Sequence, residues 1–250
     1  MVKRILFPLR QLYLKRKWVK DIDFIFAIDK RALRQYVGFI SKPTNVFLFP
    51  YYEDSLVADS PKKVEGKKMT FLFSGRLQKR NNIRNFAKAV DYLLEKYPGK
   101  FKVVISASGV EQKFLDRITE KHCNKAIIEY DRVFEKWEDR LRPFLNSHVL
   151  ILPSLYSGWG LVVNEALSLG LPVISTRNVG CANYFIDHMI NGILINYGWK
   201  DIFNAMEYFV LFPEEVERMS KQAIKINDRY SIETASVILY DIFVHLLKNR

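Results

Sequence analysis

Short apolar runs alternate with amphipathic stretches along most of this 250-residue chain. The apolar runs predict strands at 24–28, 46–49, 69–73, 102–106, 126–129, 149–152, 172–175 and 193–195. Strands that alternate with helices pair in parallel, because each crossover helix returns the chain to the same end of the sheet. The alternation therefore predicts an α/β fold with a largely parallel sheet and helices on both faces.

The helical half of this pattern is clearest at 83–97. Its apolar residues fall at offsets 0, 3, 4, 7, 10, 11 and 14, which is one face of an amphipathic helix. Pro98 and Gly99 end that helix, and Pro213 followed by two glutamates indicates the start of another. Further helices are predicted near 110–122, 134–146, 161–169, 200–211, 214–227 and 232–247.

A polar stretch at 53–68 divides the chain. It contains Pro61 and Gly66 and lacks periodicity, which is typical of a linker between domains. The piece before it holds two predicted strands, too few to bury a core of its own. We predict a domain remnant at 1–55, a linker at 56–68, a main domain at 69–230 and a final helical segment at 231–250.

Composition restricts the class of protein. Hydrophobic residues make up 49% of the chain and aromatic residues 14%, which excludes a collagen-like or low-complexity chain. No apolar run reaches the roughly 18–20 residues of a membrane span, and Pro8 interrupts the first apolar stretch too early for a secretory signal. The two cysteines make neither a disulfide framework nor a metal site. We expect a soluble protein of the cytoplasm.

Positive charge is concentrated in two stretches. The net charge is +12, and residues 1–20 and 62–84 contribute +7 each. Such clusters suit nucleic acid, anionic lipid or a phosphorylated ligand, and they also occur as solvated basic faces. Because no nucleic-acid-binding motif accompanies the charge, we expect no nucleic-acid partner. Apolar residues interleave with the bases of 1–20, so we expect this segment to approach anionic lipid at the inner face of a membrane.

Glu165 is the only charged residue between Pro143 and Thr176. It lies in a predicted helix of mostly apolar residues, where a carboxylate is costly unless hydroxyl groups, amides or a cation satisfy it. Either it is an acid at a helix start or on the surface, or it binds the hydroxyl groups of a ligand. Both alternatives remain open from the residues alone.

The loop before this helix favours a ligand. Gly158 and Gly160 allow the backbone to approach a bound molecule, and the helix start at Leu161 offers free N–H groups to an anion. A phosphate at the loop and a hydroxylated ring beside Glu165 would fit a nucleoside diphosphate. The glycines match neither the phosphate loop of nucleoside triphosphatases nor the dinucleotide fingerprint of dehydrogenases.

A second group of candidates follows the predicted strand at 69–73. Gly75 and Arg76 come directly after this strand, and ligands of open α/β sheets lie at the carboxyl ends of strands. An arginine there suits a phosphate, and Lys79 and Arg80 either assist it or form a solvated basic turn.

These residues resemble the retaining glycosyltransferases of family 4, the group 1 transferases of GT-B fold. The resemblance covers about 69–247. It rests on Gly75-Arg76-Leu77, on the block at 153–174, which contains Ser157, Gly158, Trp159, Gly160 and Glu165, and on the segment at 191–195. It implies a GT-B-type Rossmann-like donor domain with a remnant of a second Rossmann-like domain, to which the final helix returns.

The resemblance also implies the substrates. The donor would be a nucleoside-diphosphate sugar, the acceptor a glycan or glycolipid, and the transfer would retain configuration without a cofactor or a catalytic metal. Arg76, Glu165 and Ser157 are the implied catalytic residues. The implied donor-binding residues are Gly75, Arg76, Lys79, Arg80, Asn81, Tyr130, Arg132, Val133, Ser157, Gly158, Trp159, Gly160, Leu161 and Glu165.

Three features depart from the family pattern. Ser157 stands where the family has the first acid of a glutamate pair, and Asn81 stands where it has a phosphate-binding lysine. The acceptor loop and active-site histidine of the family's first domain have no counterpart here. Two other hypotheses therefore remain: an inactive nucleotide-sugar-binding protein that needs a separate amino-terminal polypeptide or a second copy, and a basic scaffold for membrane or nucleic acid.

Overall fold

The computed structural model describes residues 22–37, 45–52, 60–64, 68–122, 128–130 and 137–248. The chain packs as two compact units, which divide between Tyr52 and Glu53 and between Arg229 and Tyr230. The smaller unit therefore combines the early strands with the last helix, and the larger unit contains everything between the two division points.

The described residues contain eight strands and ten α-helices. The strands are β1 (Ile25–Ala27), β2 (Val46–Leu48), β3 (Met69–Ser74), β4 (Phe101–Ser106), β5 (Ile128–Tyr130), β6 (Val149–Leu152), β7 (Val173–Thr176) and β8 (Gly192–Ile195). The helices are α1 (Lys30–Val37), α2 (Ile83–Lys96), α3 (Lys113–Lys121), α4 (Arg142–Leu145), α5 (Leu161–Ser168), α6 (Ala182–Phe185), α7 (Trp199–Leu211), α8 (Glu214–Ala223), α9 (Asn227–Tyr230) and α10 (Ile232–Lys248).

The larger unit is built on a six-stranded sheet in the order β5-β4-β3-β6-β7-β8. Each neighbouring pair is parallel, which confirms the predicted α/β fold with a parallel sheet. The chain builds outward from β3 to β5, then returns to the other side of β3 with β6. This reversal creates a crevice at the carboxyl ends of β3 and β6, where ligands of open α/β sheets bind.

Both faces of this sheet are covered. Phe71 and Phe73 of β3 belong to a core shared with α2 and α7, and the rings of Phe73 and Phe86 stack with centroids 5.4 Å apart. Leu72 points to the opposite face and is equally buried. The apolar face predicted for 83–97 is the buried face of α2. Continuous apolar strands such as β6 are what a sheet covered on both sides requires.

The smaller unit contains a parallel pair, β1 and β2, with Ile25 opposite Val46. Phe24 contacts Phe243 of α10, with ring centroids 6.0 Å apart. Five apolar side chains of α10 are exposed, and Ile242 is buried: the exposed ones are Ile232, Val237, Tyr240, Phe243 and Leu247.

Two predictions about helices need correction. The helix predicted at 134–146 is described from Trp137, as a 3₁₀ turn followed by the four-residue α4, because Pro143 lacks an N–H group and suits only the first turn of a helix.

The prediction that no stretch could span a membrane is also too strict. Within Glu214–Lys248, an 18-residue window reaches a mean hydropathy of 1.3, enough by length and composition alone.

Candidate functional site

Two loops meet at the carboxyl ends of β3 and β6. The Leu155 N–H donates to the Arg80 carbonyl oxygen at 2.8 Å, and the Ser154 hydroxyl donates to Asn81 Oδ1 at 3.3 Å. Asn81 Nδ2 in turn donates to the Arg76 carbonyl oxygen at 2.5 Å. Asn81 is 8% exposed, so a buried side-chain amide joins the two loops.

The basic side chains of the first loop face outward. Arg76, Lys79 and Arg80 are all exposed, and a short 3₁₀ turn at Lys79–Asn81 holds the last two beside the start of α2. Gly75 adopts a φ of 137°, a conformation that residues with a Cβ rarely adopt, and this turns the chain sharply after β3. Three exposed cations therefore line the loop that carries the Gly-Arg-Leu sequence.

The second loop, residues 157–160, lies against the segment after β7. The Ser157 N–H donates to the Asn178 carbonyl oxygen at 3.2 Å, and the Cys181 N–H donates to the Trp159 carbonyl oxygen at 3.0 Å. Gly180 approaches so closely that a Cβ there would overlap the Gly158 carbonyl oxygen. Two hydrogen bonds and one close backbone approach therefore hold this loop against the segment after β7.

Gly160 ends the loop and begins α5. Its φ of 101° is the left-handed conformation that glycine tolerates, and a Cβ would lie 2.7 Å from Val179 Cγ1. The Val163 N–H donates to the Gly160 carbonyl oxygen at 2.9 Å, and the N–H groups of Leu161 and Val162 before it have no carbonyl partner within the helix, which is the position where helices bind anions. Trp159 is buried against Phe185, with ring centroids 5.6 Å apart, so this residue contributes its backbone rather than its indole.

Glu165 lies one turn into α5, with its side chain 18% exposed. Burial raises the pKa of this carboxyl above its ordinary value of 4.5, and the positive charge of Arg140 acts in the opposite direction. Arg140 Nη2 is 3.4 Å from Glu165 Oε1. The carboxylate is therefore partly desolvated and partly neutralised, with a cation beside it.

Arg140 is the residue that sequence reasoning missed. It belongs to the 3₁₀ turn at Trp137–Leu141, in a stretch rich in charged residues that has no motif of its own. Its pairing with Glu165 depends on how the turn packs beside α5, and nothing in the local sequence distinguishes it from neighbouring Arg142.

The structure brings most of the predicted site residues to one edge of the sheet. The loop after β3 and the loop at 157–160 flank the crevice, and Glu165 follows on α5. Tyr130 ends β5, two strands from β3 on the same edge. Arg132, Val133 and the bases of 1–20 lie outside the described residues. Within the described ranges, no three His, Cys, Asp or Glu side chains are close enough to hold a metal ion.

Comparison with known families matches residues 58–226 to the family described as glycosyl transferases group 1. An uncharacterized glycosyltransferase of Methanocaldococcus jannaschii is 30% identical over 135 residues, which are 53% of this chain and 33% of that protein. The UDP-Gal:alpha-D-GlcNAc-diphosphoundecaprenol alpha-1,3-galactosyltransferase of Escherichia coli is 25% identical over 199 residues, covering 77% of this chain and 50% of that protein. The chain thus spans a third to a half of these relatives.

Among solved structures, the chain is similar to TarM of S. aureus, crystallised with Fondaparinux, alpha-GlcNAc-glycerol and UDP. The TM-score is 0.76 at 15% identity, and the match covers 94% of this chain and 46% of TarM. At this identity the similarity concerns the fold. It is the fold of glycosyltransferases of GT-B type, as predicted from the sequence.

Proposed function

Since the chain belongs to the group 1 glycosyltransferases, we propose that its larger unit binds a nucleoside-diphosphate sugar in the crevice between β3 and β6. The observation that carries the proposal is the joint geometry of two loops. Arg76 is exposed on one, and the hydrogen-bonded backbone of the other leads to the N–H groups of Leu161 and Val162 at the start of α5. The activity that follows is sugar transfer to a glycan or glycolipid acceptor.

Each part of the site has a role in this proposal. Arg76, helped by Lys79 and Arg80, and the N–H groups of 158–161 bind the diphosphate, whose negative charge grows as the sugar–phosphate bond breaks. Fixed donors aimed at that charge stabilise the transition state. Glu165 accepts hydrogen bonds from the ribose hydroxyl groups, and the positive charge of Arg140 favours the ionised form of this carboxyl. Ser157 offers a neutral hydroxyl to the sugar.

We further propose that transfer retains the anomeric configuration and uses neither metal nor cofactor. The cations of the first loop support this, because they supply the charge that a divalent metal would otherwise bring to the diphosphate. Asn81 does not act as the missing lysine in this scheme. Its amide atoms already join the two loops, so Lys79 and Arg80 take over the contact with phosphate.

Calorimetric titration of the full chain with uridine and guanosine diphosphate sugars tests the donor site. Arg76→Ala should weaken binding by about 1.5–3 kcal/mol, the range for hydrogen bonds to charged groups. Arg117→Ala removes an exposed arginine of α3 and should leave the affinity unchanged. If no nucleotide sugar binds the folded chain, the proposal is wrong.

Glu165→Ala tests the ribose contact separately. We expect donor affinity to fall by about 1–3 kcal/mol while folding is little affected, because a partly desolvated carboxylate contributes little to stability. An unchanged affinity in a folded variant would contradict the role of Glu165.

We also propose that this chain by itself binds donor but transfers sugar poorly. Retaining transfer needs the acceptor hydroxyl held against the anomeric carbon, and such positioning contributes many kcal/mol. The described part of the smaller unit has only two strands and exposes apolar side chains of α10, which favours a separate amino-terminal polypeptide or a second copy as partner. Efficient turnover by the purified monomer with acceptor would refute this.

The cellular location is proposed as the cytoplasmic face of a membrane. The seven bases of 1–20, interleaved with apolar residues, supply attraction to anionic lipid. Co-sedimentation with anionic vesicles at low salt should decrease when residues 1–20 are removed. Equal co-sedimentation of the two chains would contradict the proposed location.

A further inference from the structure

The larger unit contains a second basic region, at the edge of the sheet opposite the crevice. A cleft of about 530 Å³ opens at the amino ends of β3, β4 and β6. Its lining includes four lysines, Lys62, Lys63, Lys68 and Lys102, together with His148. Among the described residues that line the cleft there is no aspartate or glutamate, so these residues favour an anion.

Lys63 shares its acidic neighbour with a second lysine. Lys63 Nζ lies 3.8 Å from Glu217, but the same carboxylate binds Lys221 at 2.7 Å. One acid is therefore shared between two ammonium groups. Lys68 and Lys102 lie at the starts of β3 and β4, on neighbouring strands, which places further cations at the same end of the sheet.

Hydrogen bonds join the walls of the cleft to each other. Lys62 donates from its N–H to Ser220 Oγ at 2.7 Å and from Nζ to the Leu145 carbonyl oxygen at 2.6 Å. The Thr70 N–H donates to Nδ1 of buried His148 at 2.9 Å, which leaves the proton of the neutral ring on Nε2. Two chain segments that are distant in sequence are thus fixed around the opening.

Ser147 supplies an unmet polar group at this cleft. The residue lines the cleft and is 1% exposed, and within the described part of the chain its hydroxyl has no hydrogen-bond partner. Burying a hydroxyl without a partner costs free energy, so a native structure normally satisfies such a group with a ligand or a water molecule.

We propose that this cleft binds a phosphate-bearing anion. Lysine ammonium groups are compact charges that suit phosphate oxygens, and the Ser147 hydroxyl is a donor for one of them. The anion is either a soluble phosphate compound or the headgroup of a phospholipid, and the two share this chemistry. The inference is independent of the donor site: the six residues of β3 separate the two regions by about 20 Å.

Titration of the isotope-labelled full chain with inorganic pyrophosphate, followed by amide chemical shifts, tests the proposal and locates the site. The amides of 68–70 and 146–148 should shift in a saturable manner. Replacing Lys68→Gln and Lys102→Gln together should weaken this binding at least tenfold, whereas Lys225→Gln, an exposed lysine outside the cleft, should not. Shifts confined to 158–161, or identical affinity in the double variant, would overturn the proposal.

Vesicles distinguish the two sources of phosphate. If phosphatidylglycerol vesicles bind the native chain more tightly than the double variant and pyrophosphate competes, the ligand is a lipid headgroup. If vesicle binding is equal while pyrophosphate binding is lost in the variant, the ligand is soluble. Circular dichroism of each variant checks that the fold is intact, and absence of both kinds of binding to folded native chain refutes the site.

Discussion

The two edges of the six-stranded sheet both bear positive charge, but they present it on different scaffolds. At the carboxyl edge, exposed Arg76, Lys79 and Arg80 accompany a loop whose backbone approaches its neighbours closely at Gly160 and Gly180. At the amino edge, lysines surround a cleft whose polar groups are side chains, those of Ser147 and His148. The carboxyl edge is distinguished by the shape of its backbone, and the amino edge by the charge of its side chains.

This difference arises from a single basic stretch of the sequence. Residues 62–84 contain eight bases, and β3 runs through the middle of them. The described bases before β3, which are Lys62, Lys63 and Lys68, therefore belong to the amino edge, and Arg76, Lys79 and Arg80 after it belong to the carboxyl edge. Glu165 adds an acceptor to the carboxyl edge only, which suits a ligand with both phosphate and hydroxyl groups. The following variants test the contrast, beginning with the largest expected effect.

Gly180→Ala should damage the carboxyl edge most. Its Cβ would overlap the Gly158 carbonyl oxygen, and backbone on both sides cannot move away cheaply, so we expect a loss of about 3 kcal/mol in unfolding free energy. Donor affinity should fall as well, because the loop changes shape. Gly158→Ala is the matched control: nothing lies within 4 Å of its Cβ, and stability should stay within about 0.5 kcal/mol. Urea unfolding measures both, and equal effects would show that backbone approach is unimportant.

Asn81→Ala should uncouple the two loops of the crevice. The variant leaves the Arg76 carbonyl oxygen and the Ser154 hydroxyl without their partner, which costs about 1–2 kcal/mol for buried groups. Asn183→Ala removes an exposed amide that also donates to a backbone carbonyl oxygen, and should cost less than about 0.5 kcal/mol. Similar losses in the two variants would argue against a linking role for Asn81.

The pH dependence of the unfolding free energy should reveal the raised pKa of Glu165. Its folded-state pKa is raised above 4.5, so the folded protein holds this proton more tightly than the unfolded chain. The resulting stability is complete below pH 4.5 and is lost as pH rises through the raised pKa. Glu165→Gln removes this loss, so the variant should gain stability relative to the native chain as pH rises. If the unfolding free energies of the variant and the native chain differ by the same amount at pH 4 and at pH 7, Glu165 is not desolvated in the folded protein.

Lys68→Gln should have the smallest effect on stability. The side chain is exposed beside like charges at the amino edge, so unfolding free energy should change by less than about 0.5 kcal/mol and should rise if it changes. Thermal unfolding at low and high salt measures this. A large loss would mean that the lysine is part of the fold rather than available to an anion.

Much of this fold was predictable because its signals are local. All eight described strands overlap predicted runs, since a strand buried on both faces must be continuously apolar. The buried face of α2 follows from the spacing of Ile83, Phe86 and Val90. The Gly-Arg-Leu sequence and the loop at 157–160 indicated where ligand-facing backbone would lie, and both flank the crevice.

Other features depend on contacts between distant segments. The helix predicted near 134–146 is described as a 3₁₀ turn and the four-residue α4, and a stretch that is not continuously apolar still reaches a mean hydropathy of 1.3 over 18 residues. Asn81 has the local sequence of a solvent-facing turn, yet it is buried, and its side chain accepts a hydrogen bond from Ser154 of the loop after β6.

The sequence by itself determined the alternation of strands and helices, the family motifs and the total charge, because these depend on residue type and spacing. Only the tertiary structure decided that Arg140 meets Glu165, that Asn81 joins two loops, and that one basic stretch serves two edges of the sheet. The physical reason is that ion pairs and hydrogen bonds act over a few ångströms, and folding alone brings residues so far apart in sequence within that range.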